Sequence, residues 1–204
     1  MNISRHLSKL AAIIGLSLAL AGCGVNAIPT KDQAVKAAFG DVQAAYQRRS
    51  DLIPNLVATV QGYAAQEKTV LTQVTEARAQ ATHVSIDASS ISDPAAMAKF
   101  QQAQNQLSGV LGHLLAISER YPDLKSNQNF LVLQSQLEGT ENRIAIARRD
   151  YNDAVRQYNT ELKTFPGVFW AGTLYSADKP MQSFAATSEA QSAPKVSFAP
   201  QPGQ

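Results

Sequence analysis

The chain has 204 residues, of which 45% are hydrophobic and 7% aromatic, with 18 Lys and Arg against 16 Asp and Glu. This length suits one domain of ordinary size, and an alanine-rich, aromatic-poor composition favours closely packed helices over strands. Residues 1–22 hold two of the basic residues and no acidic residue, so the rest of the chain is neutral. Because a neutral chain lacks the positive surface that nucleic acids require, we expect no nucleic-acid partner.

The N-terminus has the pattern of a targeting segment. Arg5 and Lys9 precede an apolar run, residues 10–21, which is too short to span a bilayer as a mature helix and is typical of a secretory signal peptide. The run ends in Leu20-Ala21-Gly22-Cys23, a bacterial lipobox. We therefore expect residues 1–22 to be removed as a lipoprotein signal peptide. The alternative is an ordinary cleavable signal followed by an incidental cysteine.

The lipobox predicts the membrane attachment of the mature chain. Its Cys23 thiol would take diacylglycerol and fatty acyl groups such as palmitate, which leaves no free thiol for a disulfide or a metal. Gly24 follows where aspartate would retain a Gram-negative lipoprotein at the inner membrane. We expect the protein to be lipid-anchored in a bacterial membrane, facing the periplasm from the outer membrane if the host is Gram-negative.

The first helical pattern follows a tether, residues 23–30, and extends over residues 31–84. Its apolar residues recur at alternating steps of four and three, and Pro54 lies inside it. An interior proline costs about 3 kcal/mol unless something offsets the lost backbone hydrogen bond. Because the register passes through Pro54, we favour a kinked helix over two helices with Ser50 or Asp51 as the second N-cap.

Two further helices follow. Asp93-Pro94 is a helix start, and the second helix ends at Pro122. The third helix begins after Ser126 and ends at Pro166-Gly167. We predict an all-α, antiparallel up-and-down helical bundle over residues 31–184, with three long helices, or four if the first is broken at Pro54. Residues 185–204 are an Ala/Ser/Pro-rich tail.

Charged residues in the bundle are the candidates for a functional site. Arg49 and Glu67 occupy seam positions, where a buried charge needs a partner or a functional reason. The other candidates for interaction or for structural polar contacts are Arg48, Asp51, Pro54, Glu138, Arg143, Arg148 and Arg149. Interhelical salt bridges are one interpretation of these charges. A polar site inside the bundle, serving a hydrolase or a metal-dependent enzyme, is the other.

The enzyme hypothesis has no recognisable set of reactive groups. Beyond the signal segment the only histidines are His83 and His113, in separate helical patterns, and no nucleophile motif or phosphate-binding glycine loop is visible. We therefore predict no catalytic residues, no metal and no cofactor.

Two stretches resemble the signatures of the LemA family. The first is Arg48-Arg49-Ser50-Asp51-Leu52-Ile53-Pro54-Asn55-Leu56-Val57 with Gly62-Tyr63. The second is Leu137-Glu138-Gly139-Thr140-Glu141-Asn142-Arg143-Ile144, continuing through Arg148-Arg149-Asp150-Tyr151-Asn152 to Tyr158-Asn159. The resemblance covers about residues 32–198. It implies a membrane-attached helical bundle of no established activity, acting with membrane-linked partners, although a lipobox here replaces the transmembrane helix of many members.

Together these observations predict a lipid-anchored helical scaffold with a protein partner in the bacterial envelope. A long first helix beside a shorter second one would leave Val35, Phe39 and Val42 overhanging, and such a surface needs cover. Self-association of the chain is a further alternative.

Overall fold

The computed structural model describes residues 24–185. Within this range the chain forms six helices and no strand, which confirms the predicted all-α bundle. The predicted signal peptide, Cys23 and residues 186–204 of the predicted tail lie outside the described residues. The helices are α1 (Ala27–Tyr63), α2 (Lys68–His83), α3 (Pro94–Ser118), α4 (Pro122–Lys125), α5 (Gln128–Glu161) and α6 (Gly167–Ala171).

Helix α1 continues through Pro54, so the alternative with a break at Pro54 is wrong. The carbonyl that Pro54 leaves without a helical donor belongs to Ser50, and it accepts a hydrogen bond of 2.8 Å from Arg78 Nε of α2. A side chain from the neighbouring helix therefore replaces the missing backbone N–H.

The first helical pattern breaks instead at residues 64–67, which we had predicted as helix. Ala64 leaves the helical conformation, and Glu67 N–H bonds back to its carbonyl at 3.0 Å. Ala64 is fully buried, so the apolar periodicity continues across the turn. That continuity is why the pattern did not indicate a break.

The predicted tether is also shorter than expected, because α1 begins at Ala27. Ile28 is fully buried, and Pro29 lies in the first helical turn, where a backbone N–H has no helical acceptor in any case. Only residues 24–26 separate position 23 from the bundle.

The starts of α3 and α5 are fixed by side-chain caps. The Asp93 carboxylate accepts from Ala95 N–H at 2.9 Å, with Pro94 in the first helical position, as predicted. Helix α5 is capped by Asn127, whose side chain accepts from Phe130 N–H at 3.0 Å, so Ser126 is not the cap. Pro122 opens the short helix α4 as well as following α3.

The core has two apolar halves. One is formed where α1 and α2 meet α3 and the start of α5, and the other where α1 meets α3, the rest of α5 and residues 181–184. Val35, Phe39 and Val42 belong to the second half and are buried, so the predicted overhang is wrong. The loop after α2 and the segment after α6 supply the cover, mainly through the side chains of Ile86, Ile91, Met181 and Phe184.

Candidate functional site

A buried arginine lies in the middle of the bundle. The Arg49 side chain is 1% exposed. Its Nη1 donates to Ser108 Oγ at 2.6 Å and to Glu141 Oε1 at 3.0 Å. Its Nη2 donates to Gln104 Oε1 at 2.6 Å and to the Gln104 carbonyl at 3.3 Å. One guanidinium therefore joins α1, α3 and α5.

Further contacts extend this set of polar residues around Arg49, which we call the Arg49 layer. Gln104 Nε2 donates to the Ala81 carbonyl of α2 at 3.2 Å, so all four long helices take part. The guanidinium carbon of Arg49 lies 5.0 Å from the centre of the Tyr46 ring, a cation–π distance. Burial raises the pKa of the Tyr46 phenol above its usual value, so Tyr46 is a neutral neighbour of the cation.

The hydrogen bonds of this layer position the helices relative to one another. The guanidinium fork matches the arrangement of its acceptors, and the Glu141 carboxylate is 41% exposed, so water shares its charge. Arg49 Nε has no hydrogen-bond partner within residues 24–185. A cavity of about 120 Å³ adjoins the layer, lined by Tyr46, Ser50, Thr82 and Gln104 among others. In the described part of the chain, no three His, Cys, Asp or Glu side chains are grouped as metal ligands.

Glu67, the second predicted seam charge, lies in the turn before α2 rather than on a helical seam. Its Oε1 accepts from Tyr121 OH at 2.7 Å and from Arg120 Nη2 at 3.0 Å. The acidic hydrogen-bond partner raises the pKa of the Tyr121 phenol. The Glu67 carboxylate therefore joins the turn between α1 and α2 to the residues just after α3. This contact is separate from the Arg49 layer.

None of the remaining predicted site residues is hydrogen-bonded or ion-paired to Arg49. Asp51 accepts from Gln47 at 2.7 Å, and Glu138 accepts from Gln134 at 3.1 Å, both within their own helices. Arg149 contacts the adjacent Asp150 at 3.3 Å on the surface. Arg148 donates to the Ala185 carbonyl at 3.0 Å and lies over the Phe184 ring. Pro54 is exposed on α1.

Two asparagines that we did not predict as site residues hold an extended segment on the bundle. Asn159 donates to the Met181 carbonyl and accepts from Met181 N–H, both at 2.9 Å. Asn152 does the same with Phe184, at 3.1 and 2.8 Å. Tyr151 OH adds a bond of 2.7 Å to the Gln182 carbonyl. The repeat Tyr151-Asn152 and Tyr158-Asn159 is the sequence signal for this clamp: the tyrosines enter the core and the asparagines bind the segment.

Arg48 and Arg143 lie in a groove between α1 and α5. This α1–α5 groove has a volume of about 390 Å³. Its lining includes five small or aliphatic side chains: Ala38, Ala44, Ala45, Ile146 and Ala147. Its charged side chains are Asp41, Arg48, Arg143 and Asp150.

The charges in the groove are sorted by sign along its length. Helices α1 and α5 are antiparallel, because the rings of Phe39 and Tyr151 meet at 5.5 Å while Arg49 meets Glu141. Asp41 and Asp150 therefore lie at one level, and Arg48 and Arg143 lie about two turns, or roughly 10 Å, further along. Within residues 24–185, Asp41, Arg48 and Arg143 form no ion pair within 4 Å.

A sequence model of the LemA family matches residues 38–198, which include both signature stretches. The chain belongs to the LemA family. The predicted resemblance is thus confirmed, and the α1–α5 groove contains Arg48, Arg143 and Asp150 of the signatures. The family is not known as a family of enzymes.

Curated relatives extend the comparison. The chain is 26% identical to Protein LemA of Metamycoplasma hominis over 124 residues, which are 61% of this chain and 52% of the relative. It is 24% identical over 162 residues to magnetosome protein MamQ 2 of Paramagnetospirillum magneticum, covering 72% of this chain and 60% of the relative. Magnetosome protein MamQ of Magnetospirillum gryphiswaldense gives 24% over 166 residues with the same coverage. The chain spans only 52–60% of the length of these relatives.

In the part of the chain that the structure describes, none of the helices combines the length and the apolar character that crossing a bilayer requires.

Proposed function

We propose that this LemA-family chain is a lipid-anchored scaffold of the bacterial envelope that binds a helical segment of a protein partner in its α1–α5 groove. The observation that carries the proposal is the groove itself, whose lining alanines allow a helix to approach closely while charged side chains flank them. Helix-in-groove recognition uses this combination of an apolar contact stripe and flanking polar groups.

The sorted charges define the partner's chemistry. A helix in the groove would place basic residues near Asp41 and Asp150 and acidic residues near Arg48 and Arg143. Arg48 and Arg143 are exposed and make no ion pair within residues 24–185, so they are available for such contacts. Complementary charges of this kind select the partner and its direction more than they add affinity.

The family and its relatives support work at a membrane with other proteins. Relatives named magnetosome proteins support, for this chain too, a role as a component of a larger bacterial assembly. The lipobox supports attachment through Cys23, and Gly24 after it supports an outer-membrane position in a Gram-negative host. A scaffold of this kind needs no catalytic group of its own.

The anchor is tested by fractionation of cells that produce the full chain. Cys23→Ala should abolish acylation, measured as the mass of the mature N-terminal peptide, and should move the protein from the membrane to the soluble fraction. An unacylated Cys23 in the wild-type protein, or acylated Cys23→Ala protein, would contradict the anchor.

The groove is tested by photo-crosslinking in the same cells. A benzophenone amino acid at position 44 or 146 should yield one dominant protein adduct, because both side chains face the groove and are exposed. Positions 79 and 80 are the matched control, since they line another surface groove, between α2 and α3. Equal adducts at all four positions, or none at positions 44 and 146, would overturn the proposal.

A further inference from the structure

One end of the bundle exposes several large apolar side chains within ten consecutive residues. Phe165 is 87% exposed, Leu174 65%, Phe169 57% and Val168 47%. We call these four residues the apolar tip. Single exposed apolar side chains are ordinary, whereas a local group of them marks a contact surface. The chain's only tryptophan, Trp170, is in the same segment, with its ring 5.0 Å from that of Phe169.

The apolar tip lies where the lipid would be attached. A Cβ built on Gly24 would come within 2.9 Å of Pro166 Cγ, so the start of the described chain packs on the residue after Phe165. Cys23 is bonded to Gly24, and its Cα is therefore about 3.8 Å from that of Gly24. Helix α6 also packs against α1. Gly24, the residue after the proposed lipid attachment point, and the exposed aromatic rings thus share one end of the molecule.

We propose that the apolar tip inserts into the interface of the bilayer that holds the Cys23 lipid; this rests on the anchor proposed above. Aromatic side chains are favoured at the boundary between headgroups and acyl chains. An anchored protein needs no further diffusional encounter to make this contact, because the lipid already holds the apolar tip beside the membrane. Insertion would fix which end of the bundle faces the bilayer and leave the α1–α5 groove accessible from the side.

The opposite end of α5 offers a matched control. Leu131 and Val132 are 43% and 44% exposed. They lie near the start of α5, and Phe165 follows the end of the same helix. Over 34 residues the helix separates the two places by roughly 50 Å. If exposure alone determined membrane contact, both ends would touch lipid.

The experiment uses quenching of tryptophan fluorescence by brominated lipids. The mature protein, purified from cells that produce the full chain, is reconstituted into vesicles of phosphatidylethanolamine and phosphatidylglycerol, with and without bromine on the acyl chains. Trp170 is the only tryptophan, is partly buried against the core and has its ring 5.0 Å from that of Phe169, so wild-type fluorescence reports the immediate surroundings of the apolar tip. We expect brominated vesicles to reduce it by about two-fold or more, as for an aromatic ring at the acyl boundary.

Three double variants make the result specific. In the Trp170→Phe, Leu131→Trp variant the tryptophan is at the far end and should not be quenched. In Phe165→Ser, Phe169→Ser the Trp170 quenching should be largely lost, while Leu131→Ser, Val132→Ser should leave it unchanged. Circular dichroism checks that each variant keeps its helices.

Equal quenching of tryptophan at positions 170 and 131, or none at position 170, would overturn the inference. The mass of the Cys23 peptide in the same sample tests the anchor separately. An unacylated Cys23 refutes the anchor, whereas the quenching ratio decides the apolar tip in either case.

Discussion

Arg78 donates its Nε–H to the Ser50 carbonyl at 2.8 Å, the acceptor that Pro54 cannot bond. The proline in α1 is therefore compensated from α2, and the two residues form one unit although they are 24 positions apart. The neighbouring contact between Ser50 Oγ and Thr82 Oγ1 at 3.3 Å joins the same two helices.

This relationship predicts a coupling between two substitutions. Arg78→Met keeps the aliphatic stem but leaves the Ser50 carbonyl without a donor, so it should cost about 1–2 kcal/mol of unfolding free energy. In the Pro54→Ala background the new helical N–H bonds that carbonyl, and Arg78→Met should then cost about 0.5 kcal/mol or less. Urea denaturation of the four proteins measures the cycle. Strictly additive effects would show that Arg78 does not compensate for Pro54.

The Arg49 layer predicts that lysine is a poor substitute. A lysine ammonium cannot reach Ser108, Gln104 and Glu141 in a fork and remains a buried charge, so Arg49→Lys should cost about 3 kcal/mol. Arg48→Lys, at the exposed neighbouring position, should change stability by less than about 0.5 kcal/mol. A shift of the urea midpoint that is equal for both variants would refute the forked network.

The asparagine clamp predicts local rather than global opening. The N–H groups of Met181 and Phe184 are bonded to Asn159 and Asn152 side chains, so replacing both asparagines with alanine should expose those amides. Each substitution removes hydrogen bonds to the segment, and each bond contributes a net stabilisation of about 1 kcal/mol. Amide hydrogen exchange at residues 181 and 184 should therefore accelerate about ten-fold or more. Asn142→Ala, on the exposed face of α5, is the control. Unchanged exchange at residues 181 and 184 would mean that burial alone holds the segment.

Tyr158 predicts a loss of stability at alkaline pH. Burial, with Asp178 and Asp32 nearby, raises the pKa of Tyr158 to about 12, whereas an unfolded tyrosine ionises at about 10. Below pH 10 both states are protonated; above it the unfolded state loses its proton first, so stability falls between about pH 10 and 12. Tyr158→Phe should make this decline shallower. Urea midpoints across this range that fall equally in wild type and Tyr158→Phe would contradict the argument.

The sequence indicated much of the fold because apolar periodicity reports burial. Arg49 was recognisable as a charge on a buried seam, and its burial follows from that register. The turn at residues 64–67 was not recognisable, since buried Ala64 keeps the register while the backbone leaves the helix. Periodicity likewise marked Tyr151 and Tyr158 as core residues but not what their neighbours bind.

Contacts between distant segments were beyond sequence reasoning. The bond from Arg78 to the Ser50 carbonyl uses a backbone acceptor, which carries no residue-specific signal. Phe39 is covered by the loop after α2 and by the extended segment at residues 181–184. The positions of both depend on tertiary packing. The α1–α5 groove depends on the antiparallel offset of two helices about a hundred residues apart, so its sorted charges became visible only in the structure.

The most direct test of the scaffold proposal combines a crosslink with a change of charge. A benzophenone at position 146 reports the occupied α1–α5 groove, and the double variant Arg48→Glu, Arg143→Glu reverses its basic end. We predict that the dominant protein adduct at position 146 falls about ten-fold or more in this variant, because like charges then face each other. The control Lys68→Glu, Lys99→Glu, exposed outside the groove, should leave the adduct unchanged. An adduct that persists equally in both double variants would contradict recognition through the α1–α5 groove.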